Sequence, residues 1–288
     1  MLRSVSSVTF SAHRFDASCE VFEDFFGFDC IASGQLDQQI ASFWQAPDAA
    51  GARCAVFQPP SGEQVCVRLV ESPQTQEFQP LSSFGWNAAE FLVRDVQGSA
   101  DRARRAGLEI LGGPRDLLEN GAAIALQVRG PSDEVFYLTE LHGERMQATY
   151  GTARSEIDRV FIVVLGASDM TNTREFLARI TKATPRPRLM TIRVLAAAHN
   201  LDPMTHKFPI ASAVLEEQFR IEIDGYPESA VKRPVIAGHL PAGMAMVSFR
   251  VDSLDRIDGV TPQVIDGRRR ALLGGPDGEL LELLEAAR

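Results

Sequence analysis

The chain has 288 residues, of which 45% are hydrophobic and 23% charged, and its net charge at pH 7 is −9. It is long and apolar enough to bury one large core or two ordinary ones, which excludes a disordered chain. The acidic balance argues against a general nucleic-acid surface, since phosphate contacts need clustered lysine and arginine. No apolar run reaches the ~18 residues that cross a bilayer.

The first ten residues, MLRSVSSVTF, lack the apolar core of a secretion signal, so we expect a cytoplasmic protein. Its four cysteines form no C-x-x-C pair and are then expected to be reduced thiols. Its five histidines form no H-x-x-x-H pair, so a compact histidine metal site is not expected. Phosphate-loop, dinucleotide-binding and hydrolase-elbow signatures are also absent from the sequence.

A weak internal repeat organises the chain. Four segments are typical of an opening strand followed by helical spacing: SSVTFSA, AAEFLVRDV, DRVFIVVLGA and AMVSFRVDS. Four others are typical of a closing strand: VRLVES, FYLTEL, FRIEID and LLELLE. The repeat predicts four modules of strand, helix and two or three further strands, near 5–80, 85–143, 156–226 and 243–288.

A polar, apolar-poor stretch interrupts this rhythm midway and predicts a linker over 144–156. The linker divides the chain into an N-terminal half, 1–143, and a C-terminal half, 157–288. We expect each half to contain two modules that pair with each other. Among the helical segments, Phe22, Phe25 and Phe26 have the spacing of core residues.

The repeat, together with the closing P-D-G-x-L-x-E-L of the last module at 276–283, resembles the vicinal oxygen chelate superfamily. This superfamily contains glyoxalase I, bleomycin-resistance proteins and extradiol ring-cleaving dioxygenases. The resemblance covers most of the chain and implies an α+β fold: four βαβββ-like modules paired into two glyoxalase-like halves with cupped mixed sheets. It also implies a small-molecule pocket, with a divalent metal held by the first and last strands of the paired modules.

The positions that the resemblance assigns to metal ligands carry other residue types here. The opening-strand position, usually His, falls on Ser7, Ala88, Arg159 and Met246. The closing-strand position, usually Glu, falls on Arg68, Tyr137, Glu222 and Glu282. Alanine, methionine and arginine are poor ligands for a hard cation, so we expect no cofactor. A divalent metal at Glu222 and Glu282 stays open as an alternative.

The predicted catalytic residues are Glu222, Glu282 and Arg159. In this register the two glutamates face one another in the C-terminal half, with Arg159 and Arg250 beside them. Two carboxyls in one pocket repel, so one is expected to keep its proton and the pair could act as general acid and base. Arg159 or Arg250 would stabilise an oxyanion. An arginine–glutamate bridge that only holds the strands together remains open.

Further side chains are candidates for contact with a substrate: Arg250, Arg220, Tyr137, His199 and Trp86. Arg220 shares a strand face with the predicted catalytic glutamate of its strand. Tyr137 could donate a hydrogen bond, and Trp86 could stack on a planar ligand. Each of these side chains has a structural alternative, as does Glu90, which could form a simple internal pair with Arg68.

We therefore expect a vicinal-oxygen-chelate-type enzyme of the lyase, isomerase or oxygenase class. Its substrate would be a small, partly apolar or aromatic metabolite, handled without the usual His/His/Glu metal site. Two alternatives stay open: a non-catalytic protein that sequesters a small molecule, and an extradiol-dioxygenase-like enzyme with atypical metal ligands. No nucleic acid or membrane partner is expected, and a homodimer stays open.

Overall fold

The computed structural model describes residues 1–118 and 120–286, which form two eight-stranded sheets with short helices packed against them. Both sheets mix parallel and antiparallel strand pairs. The predicted α+β class with two cupped mixed sheets is confirmed. No helix in the described part of the chain is both long and apolar enough to span a bilayer.

The first sheet is built from the two ends of the chain. Its strands are β1 (Leu2–Ala12), β2 (Asp29–Gln35), β3 (Arg53–Gln58), β4 (Cys66–Glu71), β13 (Gly243–Val251), β14 (Gln263–Ile265), β15 (Arg268–Gly274) and β16 (Leu280–Glu285). They lie in the order β14-β15-β16-β13-β1-β4-β3-β2. The first and fourth predicted modules therefore share this sheet, joined where β1 pairs antiparallel with β13.

The second sheet is built from the middle of the chain. Its strands are β5 (Gly85–Val93), β6 (Glu109–Asp116), β7 (Ala123–Arg129), β8 (Val135–Leu141), β9 (Ile157–Ala167), β10 (Arg188–Met190), β11 (Phe208–Val214) and β12 (Arg220–Gly225). They lie in the order β10-β11-β12-β9-β5-β8-β7-β6. All eleven residues of β9 are buried, as its nearly continuous apolar sequence predicts.

The helices are short. They are α1 (Phe15–Glu20), a π-helical turn (Val21–Phe25), α2 (Gln38–Phe43), a 3₁₀ turn (Pro47–Ala49), α3 (Val96–Arg105), α4 (Glu144–Tyr150), α5 (Met170–Ile180), α6 (Arg193–Ala198) and a second 3₁₀ turn (Leu254–Arg256). Three of them begin after an aspartate whose carboxylate accepts hydrogen bonds from backbone N–H groups of the first turn: Asp37, Asp95 and Asp169. Such caps satisfy amides that have no partner within the helix.

One apolar core lies between the two sheets and joins all four modules. Phe10 on β1 meets Phe136 on β8 edge to face, with ring centroids 5.5 Å apart, so the contact crosses from one sheet to the other. Phe22 stacks on Phe26 at 4.7 Å and also contacts Phe136 at 5.5 Å. Each such pair stabilises the fold by ~0.5–1.5 kcal/mol beyond its area burial. The predicted core role of the three phenylalanines at 22–26 is confirmed.

The pairing of modules differs from the expectation that each half of the chain pairs within itself. The first module pairs with the fourth and the second with the third. Every module joins its partner through its opening strand, β1 with β13 and β5 with β9. Backbone hydrogen bonds form this junction and do not depend on side-chain identity, so nothing in the repeat indicates which opening strands meet.

Much of the predicted linker is helical, because Glu144–Tyr150 form α4. None of the residues of α4 is buried, which agrees with the polar character of the stretch. The domain limits at 143 and 157 stay a prediction, and the last two residues of the predicted fourth module lie outside the described residues.

Candidate functional site

Each sheet has one face on the shared core and one face turned away from it. On β9 the alternation is visible directly: Val163 and Leu165 belong to the shared core, whereas Ile162 and Val164 belong to a separate cluster on the opposite face. We call this opposite face the first cup in the first sheet and the second cup in the second sheet. The two cups are candidate sites because both bring polar side chains from several strands together.

The second cup holds a cavity of about 540 Å³. Its walls are mainly apolar, supplied by β6 to β9, α4 and the segment around α6: Leu111, Leu117, Ala125, Leu141, Met146, Phe161, Met190, Ile192 and Val194. Arg115, Arg188 and Arg193 also line it. A cavity of this size and composition suits a small organic molecule.

A glycine lets the wall of this cavity form. Gly113 on β6 has a φ of +86°, and a Cβ atom there would lie 2.2 Å from the carbonyl oxygen of Ala125 on β7. No L side chain can occupy that position without moving the strand. The neighbouring Gly112 is similarly confined, because its Cβ would lie 2.7 Å from a methyl group of Val194.

The polar part of the second cup is on the sheet itself. Strand register sets Glu90 of β5 opposite Tyr137 of β8, and Glu222 lies on β12 on the other side of β9. The Thr139 hydroxyl donates a hydrogen bond to Glu90 Oε1 at 2.5 Å. Glu90, Tyr137, Thr139 and Glu222 all line the cavity. Two carboxyl groups therefore line the base of one mostly apolar cavity.

Burial strongly affects how these carboxyls ionise. It raises the pKa of Glu90 to about 8, with the negative charge of Glu222 contributing, while the Thr139 hydrogen bond acts in the opposite direction. Burial also raises the pKa of Glu222, but the positive charge of Arg188 opposes that rise. Glu90 is thus the carboxyl that keeps its proton at neutral pH, and Glu222 is the better candidate for the ionised form.

A third acidic residue, Asp224, is on the same strand as Glu222. Asp224 is two residues along β12 from Glu222, and only 2% of it is exposed. Burial raises its pKa well above the usual range, and Glu222 and Glu90 raise it further. An acid that stays protonated adds no charge to the cavity, so the charge balance rests on the other two carboxyls.

The first cup is arranged differently. Glu282 on β16 is fully buried, and its Oε1 accepts hydrogen bonds from Arg270 at 3.1 Å and from the indole N–H of Trp44 at 3.2 Å. Its Oε2 accepts one from the Ser248 hydroxyl at 2.6 Å, and Arg68 lies 3.7 Å away. Three hydrogen bonds and a second guanidinium within ion-pair distance thus surround this carboxylate. Glu282 is therefore the acidic partner in a buried structural ion pair and is not available as a general acid or base.

A segment of the first module covers part of the first cup. Residues of α2, the segment after it, the loop before β13 and β13 itself pack there as one apolar cluster: Ile40, Ala41, Phe43, Trp44, Ala46, Ala49, Leu240 and Met246. The Arg68 guanidinium stacks on the Trp44 ring at 4.9 Å. In the second cup, by contrast, Glu222 lines an open cavity together with Tyr137 and Phe161.

The expectation that Glu222 and Glu282 face one another is wrong. Glu222 lies in the second sheet and Glu282 in the first, because the third and fourth modules do not pair with each other. For the same reason Glu90 and Arg68 belong to different sheets and form no internal pair. Only Glu222 and Tyr137 of the eight predicted site residues line the cavity of the second cup.

Arg159 does not line either cup. Regular alternation along β9 is broken by a bulge, since Glu90 pairs with Ile162 while the next residue, Phe91, pairs with Val160. Because of the bulge two consecutive residues, Phe161 and Ile162, line the cavity, whereas Val160 belongs to the shared core. The Arg159 guanidinium instead lies 4.5 Å over the ring of Phe219 and donates a hydrogen bond to a backbone carbonyl at the end of α4.

Arg220 and Arg250 also differ from the expected arrangement. Arg220 shares the face of Glu222 but lies 4.5 Å over the ring of Tyr150 and outside the cavity lining. Arg250 lines the first cup, where it lies 3.6 Å from Glu217. Like the two glutamates, these two arginines are on different sheets: Arg220 is on β12 of the second sheet and Arg250 on β13 of the first.

His199 and Trp86 have structural contacts. The His199 ring donates from Nε2 to the carbonyl of Leu81 at 3.0 Å and accepts at Nδ1 from the Ser229 hydroxyl at 2.8 Å. Burial lowers the pKa of His199, so the neutral ring required by this pattern is favoured. Trp86 is buried and donates its indole N–H to the carbonyl of Leu280 at 2.8 Å, which links the two sheets.

Sequence reasoning missed Thr139 and Arg188, and it assigned Glu90 to the wrong partner. One signal was available for Glu90: it is the only charged residue in the apolar run AAEFLV. A lone acid in a buried strand either pairs or lines a cavity. Arg188 lies on the three-residue strand β10, where no periodic pattern could reveal its direction.

The resemblance to vicinal oxygen chelate proteins implies a divalent metal in such a cup, and the residues present do not fit one. The described residues contain no cluster of three or more His, Cys, Asp or Glu side chains suited to ligating a metal ion. In the second cup the residues paired with Glu90 on either side are Tyr137 and Ile162, and an aliphatic side chain donates no ligand atom. The expectation of an enzyme without a cofactor stays a prediction.

Comparison with solved structures connects this geometry to known proteins. A glyoxalase I from Zea mays is similar over 98% of this chain and 92% of its own, with 13% sequence identity and a TM-score of 0.64. A candidate dioxygenase from Bacillus subtilis is similar over 100% of this chain and 86% of its own, with 10% identity and a TM-score of 0.62. No protein-family model and no curated protein matches the sequence. The predicted resemblance is confirmed at the level of structure: the chain has the two-cup, four-module fold of the vicinal oxygen chelate superfamily.

Proposed function

We propose that the chain is an enzyme that moves a proton on a small, partly apolar organic molecule bound in the second cup. The observation that carries this proposal is the pair of carboxyls, Glu90 and Glu222, in one mainly apolar cavity of about 540 Å³. Their surroundings favour different protonation states, and such a difference is how one site supplies an acid and a base at the same pH.

In the proposed reaction the Glu222 carboxylate takes a proton from a carbon atom next to a carbonyl group of the substrate. The electron pair of that C–H bond moves into the carbon–carbon bond, and the carbonyl oxygen becomes an enolate oxygen. Protonated Glu90 donates to this oxygen, and Tyr137 is placed to hydrogen-bond to the same end of the substrate. Return of the proton to another atom completes an isomerisation, while loss of a leaving group gives a lyase reaction. Positioned proton transfer of this kind contributes ~10²–10⁴-fold to a rate.

The cavity also suggests the substrate class. Most of its wall is aliphatic or aromatic, which favours an apolar or aromatic body. Arg115, Arg188 and Arg193 line the same cavity and would favour a substrate that also carries an anionic group. An aryl-substituted 2-oxo acid has all three features: an apolar ring, an enolisable carbonyl group and a carboxylate.

The alternative is a protein that sequesters such a molecule without converting it. The large apolar share of the cavity wall favours this alternative, because tight binding of an apolar molecule needs no acid or base. The two functions differ in stoichiometry. A sequestering protein protects one ligand molecule per cavity, whereas an enzyme converts many.

The test is deuterium exchange, followed by NMR in D₂O, at the carbon next to the carbonyl of aryl-substituted 2-oxo acids and ketones. Exchange above the uncatalysed rate is expected with the unaltered protein. Glu222→Gln and Glu90→Gln should each lower it at least ~100-fold, since each removes one partner of the proton transfer. Glu175→Gln, at an exposed position of α5, is the matched control and should leave the rate unchanged.

Saturable binding of these compounds at one per chain, with no exchange and no effect of either substitution on binding, would instead establish the sequestering alternative. Exchange that survives both substitutions at full rate would contradict the assignment of Glu90 and Glu222.

A further inference from the structure

A second cavity, of about 330 Å³, lies in the part of the first cup that α2 leaves uncovered. Four arginines from three strands line it: Arg68, Arg250, Arg268 and Arg270. We call this cavity the arginine pocket. Neither the proton transfer proposed for the second cup nor the packing of the shared core uses it, because it is on the outer face of the other sheet.

Strand register explains how these side chains meet. Arg270 on β15 and Arg250 on β13 are both opposite Leu284 on the strand between them, β16. Residues in one row of a sheet, on strands two apart, project from the same face about 10 Å from each other. Arg268 is two residues before Arg270 and therefore shares its face, and Arg68 enters from β4. The intervening Arg269 faces away and pairs with Asp255 and Glu285.

The charges in the arginine pocket do not balance. Glu282 is the sole carboxylate among its described lining residues, and both Arg270 and Arg68 already contact it. Arg250 has a half-exposed partner, Glu217, at 3.6 Å. Arg268 makes no ion pair with a described residue. Four guanidinium groups thus face two carboxylates, in a chain whose net charge is −9. Like charges held this close repel unless an anion lies between them.

Two buried donors point to the same conclusion. Ser7 Oγ and Arg270 Nε have no hydrogen-bond partner in the described part of the chain. Ser7 is 5% exposed and Arg270 9% exposed, and both line the pocket. Leaving a buried polar group without a partner costs ~1–3 kcal/mol, and more when the group is charged. An acceptor with several oxygens would satisfy both donors and the excess charge together.

We propose that the arginine pocket binds a phosphate-type oxyanion, either free phosphate or the phosphate group of a small metabolite. Donors converge on it from β1, β4, β13 and β15, which suits a tetrahedral anion with oxygens in several directions. A planar carboxylate engages one guanidinium in a fork and would leave the other donors unused. The volume leaves room for a phosphate group and a few carbon atoms beside it. Arg270 is buried and Arg68 and Arg250 are partly buried, so a small molecule that enters the pocket reaches them better than a polymer or a bilayer surface would.

The test is calorimetric titration of the whole protein with inorganic phosphate at constant ionic strength, with glycerol 3-phosphate, sulfate and acetate titrated in parallel. One phosphate per chain is expected, with acetate at least ~10-fold weaker. Tighter binding of glycerol phosphate than of phosphate would identify an organic phosphate as the occupant, and the reverse order would identify free phosphate. Either order supports the site.

Arg268→Gln and Arg250→Gln should each weaken phosphate binding ~10-fold, the loss expected for one charge-assisted hydrogen bond. Neither arginine contacts Glu282, so both variants are expected to fold, and circular dichroism checks this. Arg105→Gln removes the same charge from an exposed position on α3 in the second module and is the matched control.

Three results would overturn the proposal. The first is no phosphate binding up to ~50 mM, a concentration roughly 200-fold above the dissociation constant of ~0.25 mM expected for two guanidinium contacts. The second is equal weakening of phosphate binding by Arg105→Gln. The third is acetate binding as tightly as phosphate. Proton exchange in the second cup is independent of all three, so failure here leaves the proposed enzyme activity to be judged separately.

Discussion

The two cups share one strand plan, and each has a glutamate on the closing strand of the later module. In the first cup this residue is Glu282 and in the second it is Glu222. Glu282 is fully buried and held by two arginines, a tryptophan and a serine. Glu222 lines an open cavity together with Glu90, and the positive charge of Arg188 opposes the rise in its pKa.

The difference shows that position in the fold does not by itself assign a role to a carboxylate. A glutamate whose oxygens are all occupied by donors stabilises strands, and removing its charge leaves its partners unsatisfied. A glutamate that shares an apolar cavity with a second carboxyl has a raised pKa and can exchange protons.

Removing the charge of Glu282 should destabilise the protein strongly. In Glu282→Gln the buried Arg270 loses its counterion, and the cost of breaking one partner of a buried pair is ~3–5 kcal/mol. Glu222→Gln should change the free energy of unfolding by less than ~1 kcal/mol, because it removes a charge that burial already disfavours. Urea denaturation of both variants measures the contrast. Equal losses of unfolding free energy in the two variants would mean that both glutamates have the same structural role.

Replacing Glu90 should stabilise the protein at alkaline pH. The pKa of Glu90 is raised from 4.5 to about 8, so between these values the native state holds a proton that the unfolded chain releases. Native stability therefore falls as pH rises from 4.5 to about 8 and levels off above that. Glu90→Gln removes this loss and should be more stable than the unaltered protein at pH 8, on the order of 4 kcal/mol.

Thermal unfolding at pH 5 and pH 8 checks this prediction, and the two proteins should be similar at pH 5. Glu175→Gln again serves as the exposed control. A Glu90→Gln variant that is less stable than the unaltered protein at pH 8 would show that Glu90 is ionised and paired.

Trp44 and Tyr137 offer a matched comparison of aromatic side chains. Trp44→Phe deletes the indole donor to Glu282 and weakens the stacking of Arg68, which should cost ~1–2 kcal/mol. Tyr137→Phe deletes a hydroxyl for which no hydrogen bond is found within the described chain, so it should cost less than ~0.5 kcal/mol. Urea denaturation measures both. A larger loss of stability in Tyr137→Phe than in Trp44→Phe would mean that the structurally important polar contacts are in the second cup.

The smallest expected effect comes from Thr139→Val. The Thr139 hydroxyl stabilises the ionised form of Glu90 and thereby lowers the pKa of that carboxyl. Without it the pKa of Glu90 should rise further, and the alkaline limit of proton exchange should move up by a few tenths to one pH unit. The pH profile of exchange measures this movement. A move toward lower pH would mean that Thr139 acts as an acceptor from protonated Glu90.

The strands and helices were largely predictable, because their signals are local. Period-two alternation identifies strands such as FRIEID, and a continuous apolar run identifies β9 as covered on both faces. Aspartate caps mark three helix starts. The clustered phenylalanines at 22–26 are core in both prediction and structure.

The sites were much less predictable. Two details outside the local pattern moved the predicted residues. Arg159 lies beyond the bulge on β9, outside the cavity that Phe161 and Ile162 line, and a one-residue irregularity of this kind leaves no signal in the sequence pattern. The pairing of opening strands placed Glu222 and Glu282 in different sheets.

The module repeat, the α+β class and the resemblance to vicinal oxygen chelate proteins could all be predicted before folding, since they depend on local periodicity and turn residues. It also indicated that the usual metal ligands are missing, which needs only residue identities. Three features emerge only in the folded chain: which modules pair, that Glu90 shares a cavity with Glu222 while Glu282 contacts arginines, and that four arginines line one pocket in the first cup. Those outcomes depend on contacts between residues far apart in the chain, formed through backbone hydrogen bonds that carry no trace in the local sequence.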